Sequence, residues 1–146
     1  MVYAFLICYS LLSITIKKYG IVFYYLLLIG LLLVAGFRYD VGTDYLSYEN
    51  SFLYGQYWYP EIGFRLLIDF FKGLGLTPQM IFFMLALLIQ LLIIKGIKVN
   101  CGNSQLVYWC LFFYITLYYF NHSLNIIRQF IAIGVFLINI RNIVDK

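Results

Sequence analysis

The sequence predicts an all-α fold: a polytopic transmembrane helix bundle of about five spans, with one or two interfacial helices in an outer loop. Three observations predict it. First, 64% of the 146 residues are hydrophobic and only 11% are charged, against about 45–50% and about 25% in ordinary soluble domains. With a mean hydropathy of +0.92, a chain this short carries more apolar surface than a water-soluble core can enclose, and lipid is its natural solvent. Second, the apolar residues fall into long runs closed by basic residues. Third, five of the six acids lie in one segment between the second and third runs.

The first span is Met1 to Ile16, closed by Lys17 and Lys18. No Lys or Arg precedes it and no A-x-A-like site follows, the reverse of a secretory signal, so a retained span with its N-terminus outside is expected. The second, Tyr19 to Phe37, is free of charge and covers about 28 Å of a hydrocarbon core roughly 30 Å thick. The third is Pro78 to Ile94, closed by Lys95 and Lys98; the fourth is Leu106 to Phe120; the fifth is Leu124 to Ile140, closed by Arg141. Lys17, Lys18, Lys95, Lys98, Arg141 and Lys146 then share one side, the cytoplasmic one by the positive-inside rule. The segment 38–77 and the NHSLN turn at 121–125 fall outside, and residues 1–146 form one integral membrane domain.

Within the outer loop, Asp44 is placed to cap a short helix that carries Tyr45, Tyr48 and Phe52 on one face and ends at Gly55. Pro60 suits the first position of a second helix and Glu61 its first turn. Glu61, Arg65, Asp69 and Lys72 form an alternating charge stripe along it, and Ile62, Leu66, Leu67, Phe70 and Phe71 cover the rest. That pattern fits a helix lying in the interface plane. Thr77 and Pro78 then open the third span.

The basic residues are scattered singly or in pairs, so no nucleic-acid partner is expected. Cys8, Cys101 and Cys110 lack CxxC spacing, and the lone His122 has no partners spaced for a metal. Neither metal nor cofactor is expected. The residues that carry potential chemistry are charges next to apolar runs, because a charge at a bilayer needs a reason. For Arg38, Asp40 and Asp44 two readings stand: a snorkelling Arg with turn and cap carboxylates, or a site for an anionic head group with a carboxylate base, Gly42 supplying a special turn between them. For Arg128 and Gln129, one turn inside the fifth span with Asn125 on the same face, the readings are snorkelling or a phosphate-binding patch facing the bundle interior. Glu61 and Arg65 divide between a solvated helix face and a site. The aromatics Tyr39, Tyr45, Tyr48, Tyr54, Tyr57, Trp58 and Tyr59 divide between an interfacial belt and sugar stacking.

The segments FRYDVGTDYLSY at 37–48, PEIGF at 60–64 and NIIRQFIA at 125–132 together resemble the EpsG family of bacterial membrane proteins, grouped with Wzy-type polymerases of capsule, exopolysaccharide and O-antigen assembly. The resemblance rests on Arg38, Gly42, Asp44 and Tyr48, then Glu61, Gly63 and Phe64, then Arg128 and Gln129, in family order. It implies a multi-pass protein of the bacterial inner membrane, N-terminus outside and C-terminus cytoplasmic, that joins polyprenyl-diphosphate-linked oligosaccharide repeats on the outer face. Its partners would be that lipid-linked substrate, the bilayer and other membrane proteins of polysaccharide assembly. Arg38, Asp40, Arg65, Arg128 and Gln129 would bind substrate, with Asp40 orienting Arg38 and Arg38 and Arg128 on the diphosphate. Asp44, or Glu61 in its place, would be the catalytic base. A carrier or assembly component without chemistry is the alternative. Family members are much longer, so the chain is expected to be the N-terminal part of a larger protein.

Overall fold

The computed structural model describes residues 2–15, 20–55 and 61–144, and every regular element among them is a helix. Lys17, Lys18, Tyr57, Trp58, Tyr59 and Pro60 lie outside the described residues, as do Lys146 and the side chain of Arg141. The helices are α1 (Val2–Thr15), α2 (Gly20–Gly36), α3 (Tyr45–Tyr54), α4 (Ile62–Gly73), α5 (Pro78–Asn100), α6 (Ser104–Thr116), α7 (Tyr119–Asn125) and α8 (Ile127–Val144). Each of the five expected spans corresponds to a helix. Among the described residues α5 is the one long and apolar enough to cross a membrane, while α2, α6 and α8 contain shorter apolar stretches.

The bundle is organised on α5. Thr77 caps it by accepting the Met80 N–H at 3.4 Å, and Pro78 occupies the first turn, where its missing N–H costs nothing. The helix runs past the expected end at Ile94, through Lys95 and Lys98, because lysine is a good helix former. Its 23 residues rise about 35 Å. α8 crosses it closely: a Cβ on Gly96 would lie 2.6 Å from Leu137 Cβ, and one on Gly134 would lie 2.6 Å from Leu92 Cβ. Small residues at a crossing let backbones approach where lipid offers no hydrophobic drive. Asn100 Nδ2 fastens the same crossing by donating to the carbonyls of Gly96 and Leu137, both at 2.7 Å. α2 packs along α5, and α1 lies against α2 and α6. Leu27, Leu31, Ile81, Leu85 and Ile115 fill the interior, while Phe5, Ile21, Tyr25 and Phe136 stay exposed around the outside, where lipid tolerates what water penalises.

The segment between α2 and α5 folds down over the start of α5. Tyr45, Tyr48 and Phe52 are buried on one face of α3, which Gly55 ends in a left-handed conformation. Tyr45 stacks on Phe82 of α5 with centroids 4.8 Å apart, and Phe52 meets the same ring edge-on at 5.0 Å. Asp44 stands at the expected cap, but its backbone is helical (φ −95, ψ 0) and its side chain makes no capping bond. A cap side chain reaches back to the first N–H groups from an extended backbone, which Asp44 lacks. Glu61 is the N-cap of α4 rather than part of its first turn. α4 buries Phe64, Ile68 and Phe71, and leaves Ile62, Leu66 and Phe70 exposed. Lys72 ties α4 to α3 by donating from Nζ to the Ser51 carbonyl at 3.0 Å.

The last third differs from expectation. The fourth span ends at Thr116, and the expected turn at 121–125 is the short helix α7, separated from α8 by Ile126. Tyr118, with a left-handed φ of 62, turns the chain, and the fully buried Phe120 with Leu124 anchors α7 in the core. Arg128 is therefore the second residue of α8 instead of one turn inside a span, and Asn125 belongs to a different helix from Arg128.

Candidate functional site

Three segments distant in sequence meet where α4 and α8 begin. The Arg128 guanidinium donates from Nη1 to both carboxylate oxygens of Glu61 and also bonds the phenol of Tyr48. Tyr48 is buried on α3, between Phe52 (6.3 Å) and Phe64 (6.0 Å). Because a guanidinium only donates, the phenol oxygen accepts, and its O–H stays directed elsewhere. The Arg128 and Glu61 side chains remain 33% and 52% exposed, because they stand at an open cleft of about 410 Å³. Gly63, Phe64, Leu67, Gln129, Ile131 and Ala132 complete its wall. The start of α8 adds the partial positive charge of a helix N-terminus. The Glu61 backbone N–H, and then Arg128, hold the Glu61 carboxyl below the usual glutamate range.

Arg38 does not line this cleft. It follows α2 directly, is only 5% exposed, and donates from Nη1 to the Leu124 carbonyl on α7. Its guanidinium sits 4.8 Å from the Phe82 ring centroid and 5.9 Å from that of Tyr45, an arrangement that offsets part of the desolvation of a buried cation. Burial lowers its pKa to about 10, so it stays charged at neutral pH. Among the described residues no carboxylate pairs with it, so Asp40, which is exposed with a left-handed φ of 50, does not orient it. Gln79 holds the loop instead, donating to the carbonyls of Gly36 (2.7 Å) and Arg38 (3.2 Å). A small space of about 10 Å³ beside Arg38, lined by Gln90 and Ser123 among mostly apolar residues, is about the size of one water.

Two further contacts place this loop. Gly42 has φ 104, and a Cβ there would collide with Asn125 Oδ1. The FRYDVG turn therefore presses on α7 from both ends, with Arg38 on Leu124 and Gly42 against Asn125. Asp44 is half-buried, accepts from the Thr43 hydroxyl at 3.3 Å, and is close enough to act electrostatically on Tyr48, as both Arg38 and Arg128 do.

Arg38, Asp44, Glu61, Arg128 and Gln129 thus gather around Tyr48 and the cleft. Arg65 is exposed on α4 and outside the cleft wall, and Asp40 is exposed on its turn. Sequence reasoning missed Tyr48 as the link between two arginines, and Gln79 as the brace. A Tyr on a helix face with two other buried aromatics was the signal, since a buried phenol needs a partner. No group of three or more His, Cys, Asp or Glu among the described residues is placed to hold a metal. Nothing among curated proteins or solved structures matches the chain. The family model of EpsG matches residues 21–146, most of the chain and all three segments that meet at Arg128, so the chain belongs to the EpsG family, which together with its apolar helices ties it to polysaccharide biosynthesis at a membrane.

Proposed function

We propose that this chain carries the reaction cleft of a polysaccharide polymerase that joins polyprenyl-diphosphate-linked oligosaccharide repeats on the outer face of the bacterial inner membrane. The observation that supports it is the Tyr48–Arg128–Glu61 cluster, assembled from three family segments at an open cleft on a helix N-terminus. Arg128 exchanges Glu61 for the diphosphate, whose oxygens fit the guanidinium fork. Gln129, on the cleft wall, supplies a neutral donor. Arg38, a buried cation with no carboxylate partner among the described residues, adds positive potential at Tyr48.

In the reaction, the bond from the anomeric carbon of the donor repeat to the diphosphate oxygen breaks. A new bond forms from that carbon to an acceptor hydroxyl oxygen. The hydroxyl proton passes to a carboxylate, and the polyprenyl diphosphate leaves as an anion. Asp44 suits the base better than Glu61, because both oxygens of Glu61 are committed to Arg128, while Asp44 is not committed to capping α3.

The test is elongation of labelled lipid-diphosphate-linked repeats by membrane vesicles carrying the chain within its native assembly. Arg128→Ala at normal abundance is expected to lower the rate about 10²–10³-fold, the usual loss for one donor to a developing oxyanion. Normal elongation by that variant would overturn the proposal. Binding of polyprenyl diphosphate with no elongation in the wild type would make the chain a carrier instead.

A further inference from the structure

The link between α5 and α6 brings two of the three cysteines together. Cys101 caps the C-terminal end of α5 with an extended backbone (φ −92, ψ 112), and Asn103 caps α6 by accepting the Gln105 N–H at 2.9 Å. Only Gly102 lies between the two caps, so α6 turns back against the end of α5. Val107 and Leu111 of α6 share one buried cluster with Ile94 of α5 and Tyr24 of α2. That packing sets Cys110 against Cys101: their sulfurs are 3.6 Å apart, although the residues are nine positions apart in sequence.

Both thiols are free and half-buried. Cys101 lines an open cleft of about 300 Å³ together with the exposed Lys98 and Ser104. Cys110 lines an apolar cleft of about 340 Å³, among Ile93, Phe113 and Phe130. Their 3.6 Å separation is close to the roughly 3–3.5 Å of groups poised to react. A disulfide needs about 2.05 Å, so the sulfurs must close by about 1.5 Å. The link has space for this, since a Cβ added at Gly102 meets nothing within 4 Å. A thiol held beside a mixed disulfide attacks it intramolecularly, at an effective concentration that free thiols do not reach.

We propose that Cys101 and Cys110 form a redox-active dithiol, which a small disulfide of the glutathione type converts reversibly to an intramolecular disulfide. Cys101 is the entry point, because its cleft carries polar residues while Cys110 is set among apolar ones. The Cys101 thiolate attacks one sulfur of the small disulfide; a mixed disulfide forms and a thiolate departs. The Cys110 thiolate then attacks the Cys101 sulfur; the protein disulfide forms and the second small thiolate departs. Each departing thiolate takes up the proton that a protein thiol gave up. Two protein thiols are oxidised by two electrons in all, and one small disulfide is reduced to two thiols. The pair lies at the lysine end of the bundle, which the proposed topology turns toward the cytoplasm, where thiols rest reduced. The dithiol is then the resting form, and the disulfide an oxidised form that pins α6 to the end of α5.

The full chain in mild detergent, incubated with oxidised glutathione, alkylated with iodoacetamide and weighed intact, tests it. With Cys8→Ala removing the exposed third thiol, the chain is expected to lose two hydrogens, retain no glutathione and take up no alkyl group. Dithiothreitol should restore both alkylation sites. Adding Cys110→Ala should arrest the reaction at a glutathione adduct on Cys101. The native chain should close its disulfide at least about tenfold faster than the same chain unfolded in sodium dodecyl sulfate, because the fold supplies the proximity. The Cys8→Ala protein carries these central readings with both residues of the pair intact. Lasting glutathione adducts there, two alkylatable thiols at a glutathione level that modifies Cys8 in the wild type, or equal closure in native and unfolded chains would overturn the proposal. Disulfide-linked dimers through Cys101 or Cys110 would do so too, as would faster capture of glutathione by Cys110 in Cys101→Ala than by Cys101 in Cys110→Ala.

Discussion

Glu61 carries opposite demands in the free and liganded site. Unliganded, it neutralises Arg128; liganded, it must let go. Its carboxyl is held below the glutamate reference of 4.5, first by its own backbone N–H and then by Arg128. The sign follows from linkage: a group with a depressed folded pKa adds stability that is complete above the unfolded value and is lost as pH falls through the folded one. The pair should therefore contribute fully at neutral pH and fade under acid conditions below the ordinary glutamate range. Thermal unfolding of the detergent-solubilised chain at pH 7 and at pH 3 should show an acid-induced drop that is smaller in Glu61→Gln. Identical pH profiles for the two proteins would show that the ion pair adds nothing. Both arginines were legible in the sequence, because charge beside an apolar run is conspicuous. Their partners were not: Arg128 meets Glu61 across 67 residues and Arg38 meets Leu124 across 86, and no local spacing encodes either contact. The charge stripe placed Glu61 beside Arg65 by helical periodicity, which stops applying at a cap residue.

Elements were legible where their ends are set by local chemistry. Thr77 and Pro78 start α5, and Gly55 ends α3, each for a reason confined to a few residues. The break between α7 and α8 was not, because residues 119–127 contain neither Gly nor Pro and the break is imposed from outside. Arg38 takes the Leu124 carbonyl, and the Gly42 turn packs on Asn125. The break then puts Arg128 at a helix start, beside Glu61. Gly42→Ala should disturb this twice, since φ 104 strains any L side chain and the added Cβ meets Asn125. A loss of about 1–3 kcal/mol in stability is expected, with weaker diphosphate binding because Arg128 shifts. Gly73→Ala, at a glycine whose added Cβ meets nothing within 4 Å, is the control and should leave binding alone. Equal behaviour of the two variants would mean that the FRYDVG turn does not position α8.

At the scale of the molecule, the two ends of the bundle differ less in the number of cations than in how those cations are held. At the cleft end Arg38 is bonded to a carbonyl, Arg128 to Glu61 and Tyr48, and Lys72 to the Ser51 carbonyl. At the other end Lys95 and Lys98 face outward with no carboxylate partner among the described residues. Engaged cations resist crossing a bilayer less than free ones do, because their partners cross with them, so the positive-inside bias should be set by the lysine end. That bias would open the cleft outside the cell, where the proposed reaction requires it. A cysteine-free version of the chain with a single cysteine at Ser47 on α3, or at Ser104 on α6, measures this directly. A membrane-impermeant maleimide should label position 47 in intact cells and position 104 only after permeabilisation. The reverse pattern would turn the cleft toward the cytoplasm and remove the outer-face polymerase reading, whatever the chemistry of Arg128.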